Sequence, residues 1–254
     1  MFANKDFQDY RRLIGFTNKE NFKQFLKAKD IEPSIDFSYI MALNARLVDM
    51  FSKFNNAYCF RYREQELDLF FNTALFRVYE TMKLNNIFQI LNNQGRRREE
   101  VYFSWMRGYL VGEFFKQFIA TIWSVSENQI KKIGDDDFTS LENFNRSGKP
   151  DFEIPNVCRL EIQSGFQGIN DIKQHKVLDA KARFREDGIE TYAIHFDLFN
   201  GQVACINLSK IQDDDVNWIT RQQMEGQTVL NINQEFFLWK ITEKPNPLNL
   251  SRQN

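Results

Sequence analysis

The chain reads as an α/β protein of the α+β-like kind: a central mixed β-sheet flanked by helices, preceded by a helical N-terminal region. Three observations carry that expectation. Helical periodicity runs through the first ninety or so residues. Two alternating segments, YAIHFDLF and QVACINL, flank Asn200-Gly201, a strong hairpin signal. Between the alternating segments Lys149–Gly165 and Tyr192–Phe199 lies a helical stretch, so part of the sheet is joined by a helical crossover.

The elements follow in chain order. NKENFKQFLKAKDIEP sets Phe22, Phe25 and Leu26 at helical spacing and ends before Pro33. Ser34 is placed to cap the next helix, with Phe37, Ile40, Met41 and Val48 expected on its inner side. REQELDLFFNTALFRVYETMKLNNIFQIL continues the pattern, and its aromatic stripe reads as core. NNQGRRREE is the clearest break, and it divides the chain into a helical region, 1–98, and a second part, 99–254. VYFSWMRGYLVGEFFKQFIATIW then reads as one helix buried on most sides, with Glu113 as a costly acid among apolar neighbours. After a short strand, QIKKI, come two runs separated by Pro155-Asn156. The next helix, within GINDIKQHKVLDAKARFRE, is expected to turn Ile169, Ile172, Leu178 and Ala182 inward. YAIHFDLF sets Tyr192, Ile194, Phe196 and Leu198 on one face, and VLNINQEFFLWKI reads as the strand region of the tail.

Composition narrows the function classes. With 43% apolar residues and 26 Phe, the chain can build a core and is not of the disordered type. A net charge of −1 argues against a non-specific nucleic-acid coat but leaves room for a basic binding face balanced by acids. Cys59, Cys158 and Cys205 have no metal-ligand spacing and read as reduced thiols of a cytoplasmic protein. The N-terminal MFANKDFQDYRR has no signal-peptide pattern, and no segment approaches the ~18–20 apolar residues of a membrane span. No Gly-rich phosphate loop is present, so no nucleotide cofactor is expected. With two histidines, a His-based triad or zinc cluster is not expected; His195 reads as a packed residue and His175 as a DNA-facing or surface one. Asp135–Asp137 and Asp213–Asp215 read as solvated loops.

The chemistry concentrates in KPDFEIPNVCRLEIQSG. Asp151 and Glu153 share a face of the first run; Glu161 and Gln163 share a face of the second. A tight turn at Pro155-Asn156 would bring Asp151 and Glu161 together on adjacent strands. Two such carboxylates repel, and a hard divalent cation relieves the repulsion. The Ile162 carbonyl offers a further oxygen, and Gln163 is placed to orient an attacking water.

Pro150-Asp151 followed by Glu161-Ile162-Gln163 resembles the PD-(D/E)XK nuclease motif in its E-x-Q form. The resemblance covers about Val101 to Leu208, and the order of helix, motif, helix and strand is similar to that family's core, the restriction-endonuclease-like fold. It implies a type II restriction endonuclease: an Mg²⁺-dependent, sequence-specific enzyme that hydrolyses phosphodiesters of double-stranded DNA as a homodimer and leaves 5′-phosphate. It implies that Asp151 and Glu161 bind the metal, and that Glu113 matches a glutamate on the preceding helix. Gln163 departs from the usual lysine and carries no positive charge. Lys173 and Lys176, on the following helix, and Arg96, Arg97 and Arg98 are candidate DNA-phosphate contacts. The helical region would supply dimer contacts or a DNA-reading surface. Two other readings stand beside this one: a catalytically inactive DNA-binding protein that keeps the fold, and a structure-specific repair nuclease.

Overall fold

The computed structural model describes residues 4–27, 34–91, 96–134, 149–165, 170–212, 216–221 and 227–249. The two aspartate triplets and the segment 166–169, with Ile169, lie outside these residues. The chain divides into two compact units, Met1–Ile35 and Asp36–Asn254. The first holds α1 (Asn4–Leu13) and α2 (Lys19–Lys27), with Phe16 packed between Phe22 and Phe25.

The second unit opens with α3 (Phe37–Ala57). Its cap is Asp36 rather than Ser34: the Asp36 carboxylate accepts from the Tyr39 N–H at 2.9 Å. The Asp36 N–H in turn donates to buried Glu99 at 2.8 Å, a tertiary contact that local sequence does not reveal. The inner stripe is Ile40, Leu43, Asn44, Leu47, Phe51 and Asn55. Of the expected set only Ile40 is on it; Phe37 and Met41 are exposed and Val48 is half-buried.

The segment from 64 to 90 is not one helix. α4 (Glu64–Phe70) passes through a π-helical turn, Phe71–Phe76, into α5 (Arg77–Leu84). Left-handed Asn86, φ 55°, then separates α6 (Ile87–Ile90). The apolar helix after the break is likewise two, α7 (Arg98–Phe114) and α8 (Lys116–Ile122), divided at Phe115. Of the aromatic stripe, Phe71, Tyr79 and Phe88 are buried in the core, and Phe70 meets Phe51, Tyr62 and Phe114 with ring centroids 5.5–6.4 Å apart.

The main sheet of six strands runs β1-β2-β3-β5-β6-β9 among the described residues: β1 (Lys131–Lys132), β2 (Phe152–Ile154), β3 (Cys158–Gly165), β5 (Thr191–Asp197), β6 (Gln202–Asn207) and β9 (Phe237–Lys240). Only the β3–β5 pair is parallel. Its crossover is β4 (Asp171–Lys173) and α9 (Gln174–Asp187), and β4 joins β8 (Gln227–Asn231) and β7 (Asn217–Arg221) in a smaller sheet. The mixed sheet with helices is the expected fold class. The tail, however, divides between the sheets: β8 and β9 pair in different ones.

One face of the main sheet packs on α7 and α8, where Phe115 stacks on Phe196 at 4.5 Å and Trp123 meets Tyr192 edge-on at 4.9 Å. The other face, with Ala193, Ala204 and Ile206, is covered by Ile172, Val177 and Ala180. These, not Leu178 or Ala182, are the inward residues of the crossover: Leu178 is 55% exposed and Ala182 is exposed. The hairpin after β5 is longer than the Asn200-Gly201 pair alone. Asp197 pairs with Gln202, so the turn runs from Leu198 to Gly201, and the Asp197 carboxylate accepts from the Phe199 and Asn200 N–H groups at 3.2 Å each. All three cysteines are free thiols, Cys158 and Cys205 buried and Cys59 half-buried.

α7 approaches β2 closely at Gly112. A Cβ there would lie 3.1 Å from the Phe152 ring. Gly112→Val should therefore wedge α7 from the sheet and lower unfolding free energy by about 1–3 kcal/mol, measured as a reduced urea midpoint at unchanged m-value.

Candidate active site

The Pro155-Asn156 turn forms, with Asn156 at φ 62° and the Val157 N–H donating to the Ile154 carbonyl at 3.0 Å. It fixes the β2–β3 register: Phe152 opposite Leu160 and Ile154 opposite Cys158. Asp151 directly precedes the Phe152–Leu160 pair, at the end of the ladder next to Glu161. The Asp151 carboxylate accepts from the Ile162 N–H at 2.7 Å, so it sits at the edge of β3. In a strand the N–H and C=O of one residue point to the same edge, so the Ile162 carbonyl is directed to that side too.

Glu161 is not on a solvated face. It is 4% exposed, because α9 lies over it. Lys176, in the first turn of α9, sets its Nζ 3.0 Å from Glu161 Oε1 and 3.1 Å from Oε2. Gln163 Nε2 donates to Oε1 at 2.6 Å. A buried carboxylate is costly alone; here an ammonium and an amide answer it. Asp151, Glu161 and Gln163 are thus brought together as the spacing suggested, and Lys176 joins them from the crossover helix rather than standing on a free basic face.

Glu113 does not join this group. It is half-buried on α7, next to the Gly112 contact with Phe152, on the opposite side of the sheet. Its charge, with burial and Glu127, contributes to pushing the Tyr62 hydroxyl up to about 12, burial being the larger cause. Among the described residues no three His, Cys, Asp or Glu side chains converge as metal ligands. Lys173 is exposed at the N-cap of α9. Arg97 pairs with Glu99 at 3.3 Å and lies over the Tyr39 ring, and Arg98 donates to Gln89 at 2.9 Å. Arg98 and Gly112 are at opposite ends of α7, roughly 20 Å apart at helical rise, so Arg96, Arg97 and Arg98 are remote from the β2 end of that helix.

His195 is packed, as expected, and belongs to a buried polar chain on the same sheet face whose link through Asn170 the sequence did not reveal. His195, in register with Gln163, pairs through Nε2 with Asn170 Oδ1 at 2.8 Å, and Asn170 Nδ2 donates to Asp197 at 3.1 Å. Asp197 must accept, so the Asn170 oxygen faces His195 and Nε2 carries the proton. Burial raises the Asp197 carboxyl, but bonds from Asn200, Asn170 and Gln202 outweigh it and hold it below the ordinary range. Burial drives His195 down to about 4, against the opposing pull of Asp197 and Asp171. The Asn-Gly turn was a signal for the loop after Asp197, but nothing local marked Asn170 as its partner.

No protein-family model, curated protein or solved structure matches the chain. No helix among the described residues is long and apolar enough to cross a membrane.

The histidine gives the fold a pH dependence. Its folded pKa lies below the unfolded value, so the unfolded chain binds the proton first as pH falls. Its stabilising contribution is full above about pH 6.5 and is lost down to about pH 4. Between pH 7 and 5 this group should remove about 2 kcal/mol of stability, measured by urea unfolding, and His195→Gln should flatten that slope.

Proposed function

We propose that the chain is an Mg²⁺-dependent, sequence-specific endonuclease that hydrolyses phosphodiesters of double-stranded DNA. The observation that carries the reading is the Asp151 carboxylate bonded to the Ile162 N–H, one residue along β3 from Glu161, with Gln163 donating to Glu161. The donor set fits Mg²⁺: hard carboxylate oxygens, of which this ion takes one or two while keeping waters and phosphate oxygens. Asp151 and Glu161 would hold it, with the Ile162 carbonyl directed to the same edge. A bound Mg²⁺ supplies a lowered water pKa and charge stabilisation on the phosphate.

The chain's own residues do the rest. Gln163 presents an amide that donates from Nε2 and accepts at its oxygen, suited to orienting a water. That water's oxygen bonds to phosphorus as the P–O3′ bond breaks. The water loses a proton to solvent and the leaving 3′ oxygen gains one, giving 5′-phosphate and 3′-hydroxyl ends. Glu113, away from the pair, has no part in this scheme. Lys173 remains a phosphate contact at the α9 terminus. A palindromic duplex is matched by a two-fold protein, so the active species is a homodimer; light scattering should give twice the chain mass on DNA, and a monomer there would remove the symmetry argument.

One observation favours a silent DNA-binding protein instead: Lys176 occupies both oxygens of Glu161. Plasmid digestion separates the readings. Discrete fragments that require Mg²⁺ and vanish with EDTA mean a site-specific nuclease. Cutting only at branches or ends means a structure-specific repair nuclease, and binding without cutting means the silent protein. Because Glu161 is buried against Lys176, Glu161→Ala would strand an ammonium and unsettle the fold. Glu161→Gln and Asp151→Asn are the cleaner variants. Each should fold and cut at about one-hundredth of the wild-type rate or less. Gln163→Ala should slow cutting about tenfold, one oriented hydrogen bond's worth.

A further inference from the structure

Gln163 stands where a cation would be useful, and it has no charge. The nearby charge comes from elsewhere. Lys176 reaches over β3 from α9 and contacts both oxygens of Glu161, with its side chain 20% exposed and that of Glu161 5%. Its position on the helix makes the placement telling. The first turn of α9 carries Lys176 and His175 behind an N-cap lysine, Lys173, and no acid. A helix N-terminus favours anions and opposes a cation. Lys176 therefore stands at the end of the helix that disfavours it, held by Glu161. That end also offers backbone N–H groups to an anion such as phosphate.

We propose that Lys176 is the catalytic cation of this site: it balances Glu161 while no divalent ion is present, competes with that ion for the carboxylate, and once displaced donates to the scissile phosphate. This rests on the nuclease reading and adds the origin of the missing charge. Lys176 acts only as a donor: it forms and breaks no covalent bond, and it offsets the extra negative charge that phosphorus oxygens carry as water adds. A long, flexible ammonium suits this exchange, since it can leave the carboxylate and stay within reach of the same small volume.

The proposal separates from a purely structural ion pair because its two parts move in opposite directions. Removing Lys176 removes a competitor for Glu161, so Mg²⁺ and Ca²⁺, titrated by calorimetry without DNA, should bind Lys176→Gln at least about tenfold more tightly than wild type. At saturating Mg²⁺ the single-turnover cleavage rate of the same variant should fall about 100-fold, the scale of losing one aimed donor to developing charge. The double variant Gln163→Lys, Lys176→Gln returns a cation to the site from β3 and should recover at least tenfold of the lost rate; it also guards against a fold that fails for want of any cation beside Glu161. A Lys176→Gln rate within twofold of wild type at saturating Mg²⁺ overturns the catalytic role and leaves the nuclease reading intact. Metal affinity that is unchanged or weaker overturns the competition. Wild-type protein that never cuts overturns the nuclease reading and with it the catalytic role, while the calorimetry still decides the competition: unchanged affinity reduces Lys176 to a structural counter-ion.

Discussion

The parallel pairing of β3 with β5 is the constraint on which the candidate site depends. A parallel pair cannot close through a tight turn, so the chain must leave β3, cross the sheet and return. That crossover is β4 and α9, and it roofs the face that holds Glu161. The same pairing sets Gln163 beside His195 and Glu161 beside Ala193, a residue small enough to lie beneath the roofing helix. An antiparallel return would have left the carboxylates in solvent with no helix above them. Burial of Glu161 and the presence of Lys176 are two results of one topological fact.

The local half of this arrangement was legible in the sequence. Alternation over Asp151–Ile154 and Leu160–Gln163, with Pro155-Asn156 between, gives the register because a period-2 pattern admits only one sense of facing. The hairpin strands were legible for the same reason, and the helical crossover from the helical stretch between alternating segments. What failed depended on contacts distant in the chain. The α3 cap moved from Ser34 to Asp36 because Glu99 engages the Asp36 N–H. The α3 stripe rotated because broad apolar content leaves several faces available, and packing chose Ile40, Leu43, Leu47 and Phe51. The apolar stretch after the break was read as one helix, yet Phe115 divides it, and neither this break nor the one at Asn86 falls on a proline or glycine. The burial of Glu161 was hidden because alternation reports which residues share a face, not what covers that face. Lys176 read as one more basic residue on an exposed helix side, since fifteen positions of intervening chain hide its contact with Glu161.

The face beneath the crossover carries two buried carboxylates that are satisfied in contrasting ways. Asp197 is held by short side chains and backbone: the amides of Asn170, Asn200 and Gln202 and the N–H groups of Phe199 and Asn200. All but Asn170, which immediately precedes β4, are fixed by the turn and by β6. Glu161 has the amide of Gln163 and the ammonium of Lys176, the latter on a stem of four methylenes. Neutral, rigid donors keep a carboxylate in place and leave no charge to be exchanged. An ammonium on a long stem neutralises a carboxylate while leaving open its replacement by another cation, because the net charge of the site is then no worse for the exchange. The carboxylate meant for structure and the one suited to chemistry are thus distinguishable by what answers their charge. On that ground Glu161, despite its burial, is the carboxylate that the proposed nuclease would use to hold its metal.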